Sequence, residues 1–177
     1  MAELDALQQS GAWLDQDGVA TLVKALAKND RVSDAHALLF ESRSRGVTPT
    51  ALAHASVVYG WATARDFAKA ESVLNVMLQS GPAPTAEVWK PIIYAYAEAN
   101  LPEKADEKQR AMQEAGLPLD LKAAKAVLES WLRKGDTTRA KGVLLALERA
   151  GHRAEGTAIF DRMRSLGMIV PSLVDQQ

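Results

Sequence analysis

The sequence predicts an all-α protein built from helix-turn-helix repeats of 35 residues, and three observations lead to that prediction. Glycines recur every 35 residues, at Gly11, Gly46, Gly81, Gly116 and Gly151. Alanines recur at the same spacing between them, at Ala35, Ala70, Ala105 and Ala140. Bulky residues form a third ladder, at Leu26, Trp61, Tyr96 and Trp131. Since a fixed period of roughly 20–50 residues is typical of repeat architectures, the length counts repeats rather than one globular core.

The ladders divide the chain into four full units, 16–50, 51–85, 86–120 and 121–155. In each unit, apolar residues recur at three- and four-residue steps over two stretches of about 13 residues, which is the period of two amphipathic helices. The ladder glycine follows the second helix, where glycine adopts a positive φ at no steric cost and ends the helix. A proline then stops the helix from continuing in the first three units, at Pro49, Pro84 and Pro118.

Both ends of the chain depart from the full repeat. Because Gly11 lies on the ladder, we expect segment 1–15 to hold the second helix of an incomplete N-terminal repeat, with Leu4 and Leu7 on its apolar face. At the other end, Gly167 follows Gly151 after 16 residues instead of 35. We therefore expect 156–177 to form an irregular C-terminal capping helix and tail.

Composition limits the function classes. The chain carries 21 Lys and Arg against 22 Asp and Glu, so no global positive field attracts nucleic acid. It has no cysteine, which excludes disulfides, thiolate nucleophiles and zinc sites that need Cys. The opening segment MAELD is acidic and resembles neither a secretory signal nor a transit peptide. No apolar stretch approaches the ~18 residues of a membrane span, so no transmembrane segment is predicted.

The repeat pattern resembles the pentatricopeptide repeat (PPR) family. Within a unit, a bulky residue stands at position 11, Ala at 20, Met at 27 and Gly at 31, and Pro-Thr ends the first two units at Pro49 and Pro84. The second unit, with Met77 and Gly81, matches best, whereas Ser42 and Leu147 take the Met position of the first and fourth units. The resemblance covers roughly residues 3–167. It implies a right-handed α-solenoid, usually organellar, whose first helices line a groove that binds single-stranded RNA, one base per repeat.

The resemblance also implies which residues read the RNA. Positions 5 and 35 choose the base, and here they are Ala20 with Thr50, Ala55 with Thr85, Lys90 with Asp120, and Lys125 with Glu155. Alanine offers no donor or acceptor to a base edge, and a lysine there can pair equally well with the neighbouring acid. At position 2, where the family has an aliphatic side chain, only Leu52 keeps it. Positions 2, 5, 9 and 35 together carry four basic and five acidic side chains. These positions are therefore expected to neutralise few phosphates of a bound RNA.

Further candidates lie near the same groove. A local basic patch for phosphates is predicted from Lys90, Lys122 and Lys125. Three aromatic residues are candidates for base stacking, Trp89, Tyr59 and Tyr94. The aromatic residues of the bulky ladder are instead predicted to be core. The histidines at 36, 54 and 152 hold unrelated repeat positions and are interpreted as surface or boundary residues, so no metal site is predicted.

Two functions remain open. The first is a non-catalytic binding module, in a chloroplast or mitochondrion as the resemblance implies, that binds single-stranded RNA or acts in an organellar ribonucleoprotein. The second is a protein–protein scaffold subunit docked on an organellar ribosome, photosynthetic or respiratory complex, with the RNA code lost. We predict no enzyme, cofactor or small-molecule substrate, because no phosphate-binding glycine loop, serine nucleophile elbow or paired metal-ligand motif is present.

Overall fold

The computed structural model describes residues 14–165, and over this range it contains nine α-helices and no strand. In chain order they are α1 (Gln16–Lys28), α2 (Val32–Ser44), α3 (Ala51–Thr63), α4 (Phe67–Ser80), α5 (Ala86–Glu98), α6 (Pro102–Glu114), α7 (Leu121–Lys134), α8 (Thr137–Arg149) and α9 (Arg153–Ser165). Helices α1–α8 fall two to each stretch of 35 residues, which confirms the predicted all-α helical-repeat fold. The helix predicted within segment 1–15 lies almost entirely outside the described residues.

The chain separates into two compact units, Met1–Val88 and Trp89–Gln177. In the first unit, α1 packs on α2 and α3, and α3 also packs on α2 and α4. In the second unit, α7 packs on α6 and α8, and α9 packs on both α7 and α8. Helix α9 therefore contacts the α7–α8 pair as α3 contacts the α1–α2 pair, which is the arrangement of a first helix stacked on the preceding repeat.

The bulky ladder closes each first helix. The carbonyl of each bulky residue accepts a hydrogen bond from the backbone N–H five residues further on, at 2.9–3.1 Å. The donors are Arg31, Asp66, Leu101 and Asp136, and their acceptors are Leu26, Trp61, Tyr96 and Trp131, respectively. The residue before each donor has a positive φ, at Asp30, Arg65, Asn100 and Gly135. This hydrogen bond across a left-handed residue is a common way to satisfy the last carbonyls of a helix. The same turn therefore joins the two helices of all four repeats.

The ladder side chains lie in the core, as predicted. The four alanines are 0–1% exposed and the four bulky residues are 1–7% exposed. The burial of alanine is consistent with close approach of the two helices of a pair, since a larger side chain would need space that the core does not have. The interpretation of Trp61, Tyr96 and Trp131 as core residues is confirmed.

Three of the four ladder glycines that the structure describes have the predicted positive φ, and Gly81 does not. Gly46 and Gly116 have φ of 80° and Gly151 of 87°, whereas Gly81 is extended, with φ −101° and ψ −174°. The reason is Pro82, because a residue that precedes proline is restricted to extended conformations. Gly81 is needed for space instead, since an added Cβ would lie 2.7 Å from Met77 Cα.

The last described helix begins earlier than the sequence predicts. Helix α9 starts at Arg153, within the segment 121–155 assigned to the fourth repeat, and the Gly156 N–H donates to the His152 carbonyl at 3.1 Å. No proline stands between Gly151 and the start of α9 at Arg153, so the chain re-enters a helix at once instead of crossing a longer linker. The capping role predicted for 156–177 rests largely on residues outside the described range, Gly167 among them.

One histidine contradicts the sequence interpretation. His54 is 2% exposed, not a surface or boundary residue, and its Nδ1 lies 2.9 Å from the Thr50 carbonyl oxygen. His36 is half-buried, and its Nδ1 accepts a hydrogen bond from Trp61 Nε1 at 3.2 Å.

Candidate nucleic-acid interface

One face of each first helix carries the residues predicted to meet RNA. Positions 2, 5 and 9 of a repeat are three and four residues apart, so they share a face of an α-helix. This first-helix stripe consists of Asp17, Ala20 and Lys24 on α1, Leu52, Ala55 and Tyr59 on α3, Glu87, Lys90 and Tyr94 on α5, and Lys122, Lys125 and Glu129 on α7.

Position 35 precedes the next first helix, and in two repeats its side chain caps that helix. Thr50 Oγ1 accepts a hydrogen bond from the Ala53 N–H at 3.1 Å, and Asp120 Oδ1 accepts one from the Ala123 N–H at 2.9 Å. Such caps stabilise a helix by about 1 kcal/mol. Thr50 and Asp120 thus have a structural role in addition to any contact with a base, while Thr85 directly precedes α5 and is exposed.

The third pair forms a polar network. Lys90 Nζ lies 3.3 Å from Asp120 Oδ2, and Tyr94 OH donates to Asp120 Oδ1 at 3.3 Å. Partial burial opposes ionisation of Asp120, but the hydrogen bonds from Ala123, Lys90 and Tyr94 outweigh it and lower the pKa of this carboxyl below its ordinary value. Lys90 and Asp120 therefore contact each other, and the opposite charges of this pair cancel.

The fourth pair is not placed like the others. Glu155 lies inside the first turn of α9 because that helix begins at Arg153, and its Oε1 is 3.7 Å from His152 Nδ1. Lys125 is half-buried and Lys122 exposed, and neither forms an ion pair with any residue between 14 and 165. These two lysines remain as the basic part of the stripe on α7.

The second repeat exposes apolar groups on the stripe. Leu52 is 55% exposed and Tyr59 is 61% exposed, whereas Ala55 between them is 6% exposed. Side chains two helical turns apart are separated by about 10.5 Å along the axis, which leaves a shallow gap over the small alanine. This pair is an apolar surface open to a planar ligand.

Two of the three predicted stacking residues are constrained by the structure. Trp89 is 2% exposed, so the prediction that it stacks on a base is wrong, because position 4 of the repeat faces the core. Tyr94 is half-buried and its hydroxyl is engaged with Asp120. Tyr59 alone of the three presents most of its ring to solvent.

Sequence reasoning missed a polar cluster away from the stripe. Arg43 of α2, His54 of α3 and Ser80 of α4 line one cleft in the first unit. His54 could have been found by comparing equivalent positions of the four repeats, because the other units have Val19, Trp89 and Ala124 at this position. A buried polar residue in an otherwise apolar column points to a local requirement that the repeat frame does not impose.

Neither a metal-binding cluster nor a membrane-spanning helix is found between residues 14 and 165. Between residues 14 and 165 the structure holds no group of three or more His, Cys, Asp or Glu side chains arranged to bind a metal ion. No helix in the described part of the chain has the length and apolar character needed to span a membrane.

Comparisons with solved structures place this arrangement among known repeats. The pentatricopeptide repeat protein PPR10 from maize matches 89% of this chain and 22% of its own length, with a TM-score of 0.70 and 22% identity. The nuclear proteinaceous RNase P 2 (PRORP2) from A. thaliana matches 92% of this chain and 37% of its own length, with a TM-score of 0.74 and 20% identity. The chain thus spans less than two fifths of either protein.

A smaller structure matches over nearly its whole length. The PPR domain of Arabidopsis thaliana protein-only RNase P 1 (PRORP1), solved in complex with tRNA, is covered to 93% by 89% of this chain, with a TM-score of 0.64 and 16% identity. No curated protein is significantly similar in sequence. The family model described as the pentacotripeptide-repeat region of PRORP matches residues 16–165, which is most of the chain. With its helix pairs, its 35-residue ladders and this match, the chain belongs to the pentatricopeptide repeat family.

Proposed function

We propose that this chain is a non-catalytic module that binds single-stranded RNA through the stripe residues of its first helices. Two relatives of the same fold support the proposal, since PPR10 was solved in complex with an 18-nt psaJ RNA element and the PRORP1 domain in complex with tRNA. The observation that carries it is the exposure of Leu52 and Tyr59 on one face of α3. Stacking of a base on an aromatic ring contributes about 1–3 kcal/mol, which is enough to hold a strand at one point.

The charges on the stripe favour modest affinity. Lys24 of α1 and Lys122 and Lys125 of α7 are available for phosphate contacts, whereas Lys90 contacts Asp120. Each phosphate neutralised on a single strand contributes about −0.7 to the slope of log affinity against log salt. Three lysines therefore predict a slope of about −2, shallower than that of a strongly basic RNA-binding protein.

The side chains at position 5 favour weak sequence preference. Ala20 and Ala55 have no polar atom in their side chains, so they cannot distinguish base edges. Lys90 is engaged with Asp120, and Asp120 also receives the Tyr94 hydroxyl. We expect selection from a random RNA pool to enrich single-stranded character more than any fixed sequence.

The test is fluorescence anisotropy of the full chain with a labelled 16-nucleotide single strand of mixed sequence, titrated at several salt concentrations. Tyr59→Ala should weaken binding by about 5- to 100-fold, the equivalent of the stacking energy above. The double variant Lys122→Gln with Lys125→Gln should reduce the salt slope by about 1 to 1.5.

Two variants on second helices serve as matched controls. Phe40→Ala removes an aromatic ring that is 77% exposed on α2, and Lys141→Gln removes a charge on α8. Neither should change RNA affinity by more than about two-fold, because neither lies on the stripe. Equal losses for Tyr59→Ala and Phe40→Ala, or tighter binding to a duplex of the same sequence, would refute the proposed interface.

An organellar location, in a chloroplast or mitochondrion, is part of the proposal and rests on the family resemblance. A fluorescent fusion of the full-length protein expressed in its native cell should co-localise with an organelle marker. A signal spread through the cytosol or confined to the nucleus would contradict this part of the proposal without affecting the RNA-binding test.

A further inference from the structure

A second surface lies on the second helices of the first unit. Helices α2 and α4 both pack on α3, and residues of both, together with His54 of α3, line one cleft. The cavity in this second-helix cleft has a volume of about 340 Å³, and its lining includes four apolar residues and three cationic or titratable ones, Leu39, Phe40, Val73, Val76, His36, Arg43 and His54. This volume is at the lower end of the range of ligand pockets, about 300–1,000 Å³.

Arg43 gives the cleft an unpaired donor. Its Nη2 donates to Ser80 Oγ at 2.6 Å, while its Nη1 is buried and has no hydrogen-bond partner among residues 14–165. No acidic side chain in that range forms an ion pair with Arg43. A buried guanidinium N–H without an acceptor is unfavourable, and a carboxylate that accepts two parallel hydrogen bonds is its best-matched partner.

His54 adds polar character at the same end. Because the Thr50 carbonyl can only accept, the Nδ1 atom 2.9 Å away carries the hydrogen, and Nε2 is left without a proton in the neutral ring. Burial and then the nearby positive charge of Arg43 lower the pKa of His54, while its bond to Thr50 opposes them. Neither cation-forming group at this end therefore has a negative partner in the described chain.

The side chains of Arg43 and His54 are absent from the equivalent positions of the other repeats. Arg43 stands in the column of Leu78, Gln113 and Glu148, and no other repeat places an arginine there. His54 stands in a column that is otherwise apolar and buried. Since the other repeats fold without these groups, packing of the repeat does not account for them.

The rest of the cleft is open and mainly apolar, and His36 of α2 also lines it. Leu39 and Val73 are each 3% exposed and form its inner wall, whereas Phe40 is 77% exposed and Val76 is 37% exposed at its rim. A small molecule confined to the cavity would leave Phe40 in water. An occupant that continues over the rim would cover it, as a polypeptide segment does.

We propose that the second-helix cleft binds a segment of a partner protein in which a carboxylate lies next to an apolar side chain. The carboxylate accepts hydrogen bonds from Arg43, and the apolar side chain enters between α2 and α4 while the segment continues over Phe40. This interaction is separate from the proposed RNA interface on the first helices, so both partners can be bound by one chain.

The test is selection of 12-residue peptides from a random display library on the immobilised full chain, followed by fluorescence polarisation with the synthesised winners. The enriched peptides should share an Asp, Glu or terminal carboxylate adjacent to an aromatic or aliphatic residue. Arg43→Gln, which copies Gln113 of the third repeat, should weaken their binding at least about ten-fold. Replacing the acid of the peptide by its amide should cause a similar loss with the protein unaltered.

Arg45→Gln is the matched control, because Arg45 lies two residues away and pairs with Glu41 at 2.7 Å. It should leave peptide binding within about two-fold, as should Tyr59→Ala on the first-helix stripe. Peptides without an acid, or equal affinity for wild type and Arg43→Gln, would overturn the proposal. Arg43-dependent binding of sodium decanoate without any enriched peptide would also overturn it, since the cleft would then be a small-molecule site.

Discussion

Gln109 of α6 stands in a column of buried leucines, and its replacement by leucine is expected to stabilise the protein. The equivalent residues of the other repeats are Leu39, Leu74 and Leu144, each 2–3% exposed, and Gln109 is 2% exposed. Its Oε1 atom is buried without a hydrogen-bond partner in the described part of the chain. A buried acceptor left unsatisfied costs about 1–3 kcal/mol, and Gln109→Leu removes it.

The magnitude follows from that cost and from the size of the domain. Glutamine and leucine are of similar volume, so the variant needs little repacking, and the recovered free energy of unfolding should be about 2 kcal/mol. For a chain of this length, each kcal/mol shifts Tm by about 2–4 °C. We therefore expect Gln109→Leu to raise Tm by roughly 4–8 °C.

Urea unfolding followed by far-UV circular dichroism measures the change. The control is Gln113→Leu, an exposed position on the same helix, which should stay within about 0.5 kcal/mol of wild type. The reverse substitution Leu74→Gln should destabilise by a comparable amount to the gain at position 109. Unchanged or lower stability of Gln109→Leu, with the control unchanged, would show that the Oε1 atom has a partner that offsets its burial.

Two further expectations concern backbone and titration. Gly116→Ala should lower the free energy of unfolding by about 1 kcal/mol, because φ is 80° at that position. Gly142→Ala inside α8 should raise it by about 0.5–1 kcal/mol, because an added Cβ meets no atom within 4 Å and alanine favours the helix. Changes of the same sign in thermal melts of the two variants would contradict this expectation. Because burial lowers the pKa of both His54 and His36 in the folded state, the unfolded chain binds protons first as pH falls, so stability should be full above about 6.5 and decline below it. His54→Gln should reduce this slope of stability against pH between 7.5 and 5, and an unchanged slope would refute the assignment.

Much of the repeat architecture could be predicted from the sequence, because it depends on interactions between residues that are close in the chain or belong to one helix pair. The bulky residue at position 11 both fills the core and offers the carbonyl that closes the first helix, as Trp61 does for Asp66. The ladder alanine is buried wherever it occurs, with Ala70 and Ala105 at 0% exposure. Such positions act through neighbours a few residues away or within one helix pair, so spacing alone locates them.

The candidate interface was predicted only in outline. From the sequence, Lys90 can equally well pair with the neighbouring acid; the structure decides for the 3.3 Å pair with Asp120 and adds the Tyr94 hydroxyl on the same carboxylate. Sequence reasoning also treated Trp89 and Tyr59 as equal stacking candidates, although one is 2% and the other 61% exposed. Position 4 is 0–2% exposed in all four repeats, at Val19, His54, Trp89 and Ala124, and it is the packing of the helices that shows this position to face the core.

The sequence by itself determined the number, period and type of the repeats, because helix periodicity, helix-ending residues and prolines act over a few residues. Only the tertiary structure decided which polar departures from the repeat meet in space. Arg43, His54 and Ser80 are separated by up to 37 residues in the chain, yet they line one cleft. The physical reason is that stacking of successive helix pairs brings side chains from different repeats together, and the free energy of a buried guanidinium depends on those neighbours rather than on its own segment.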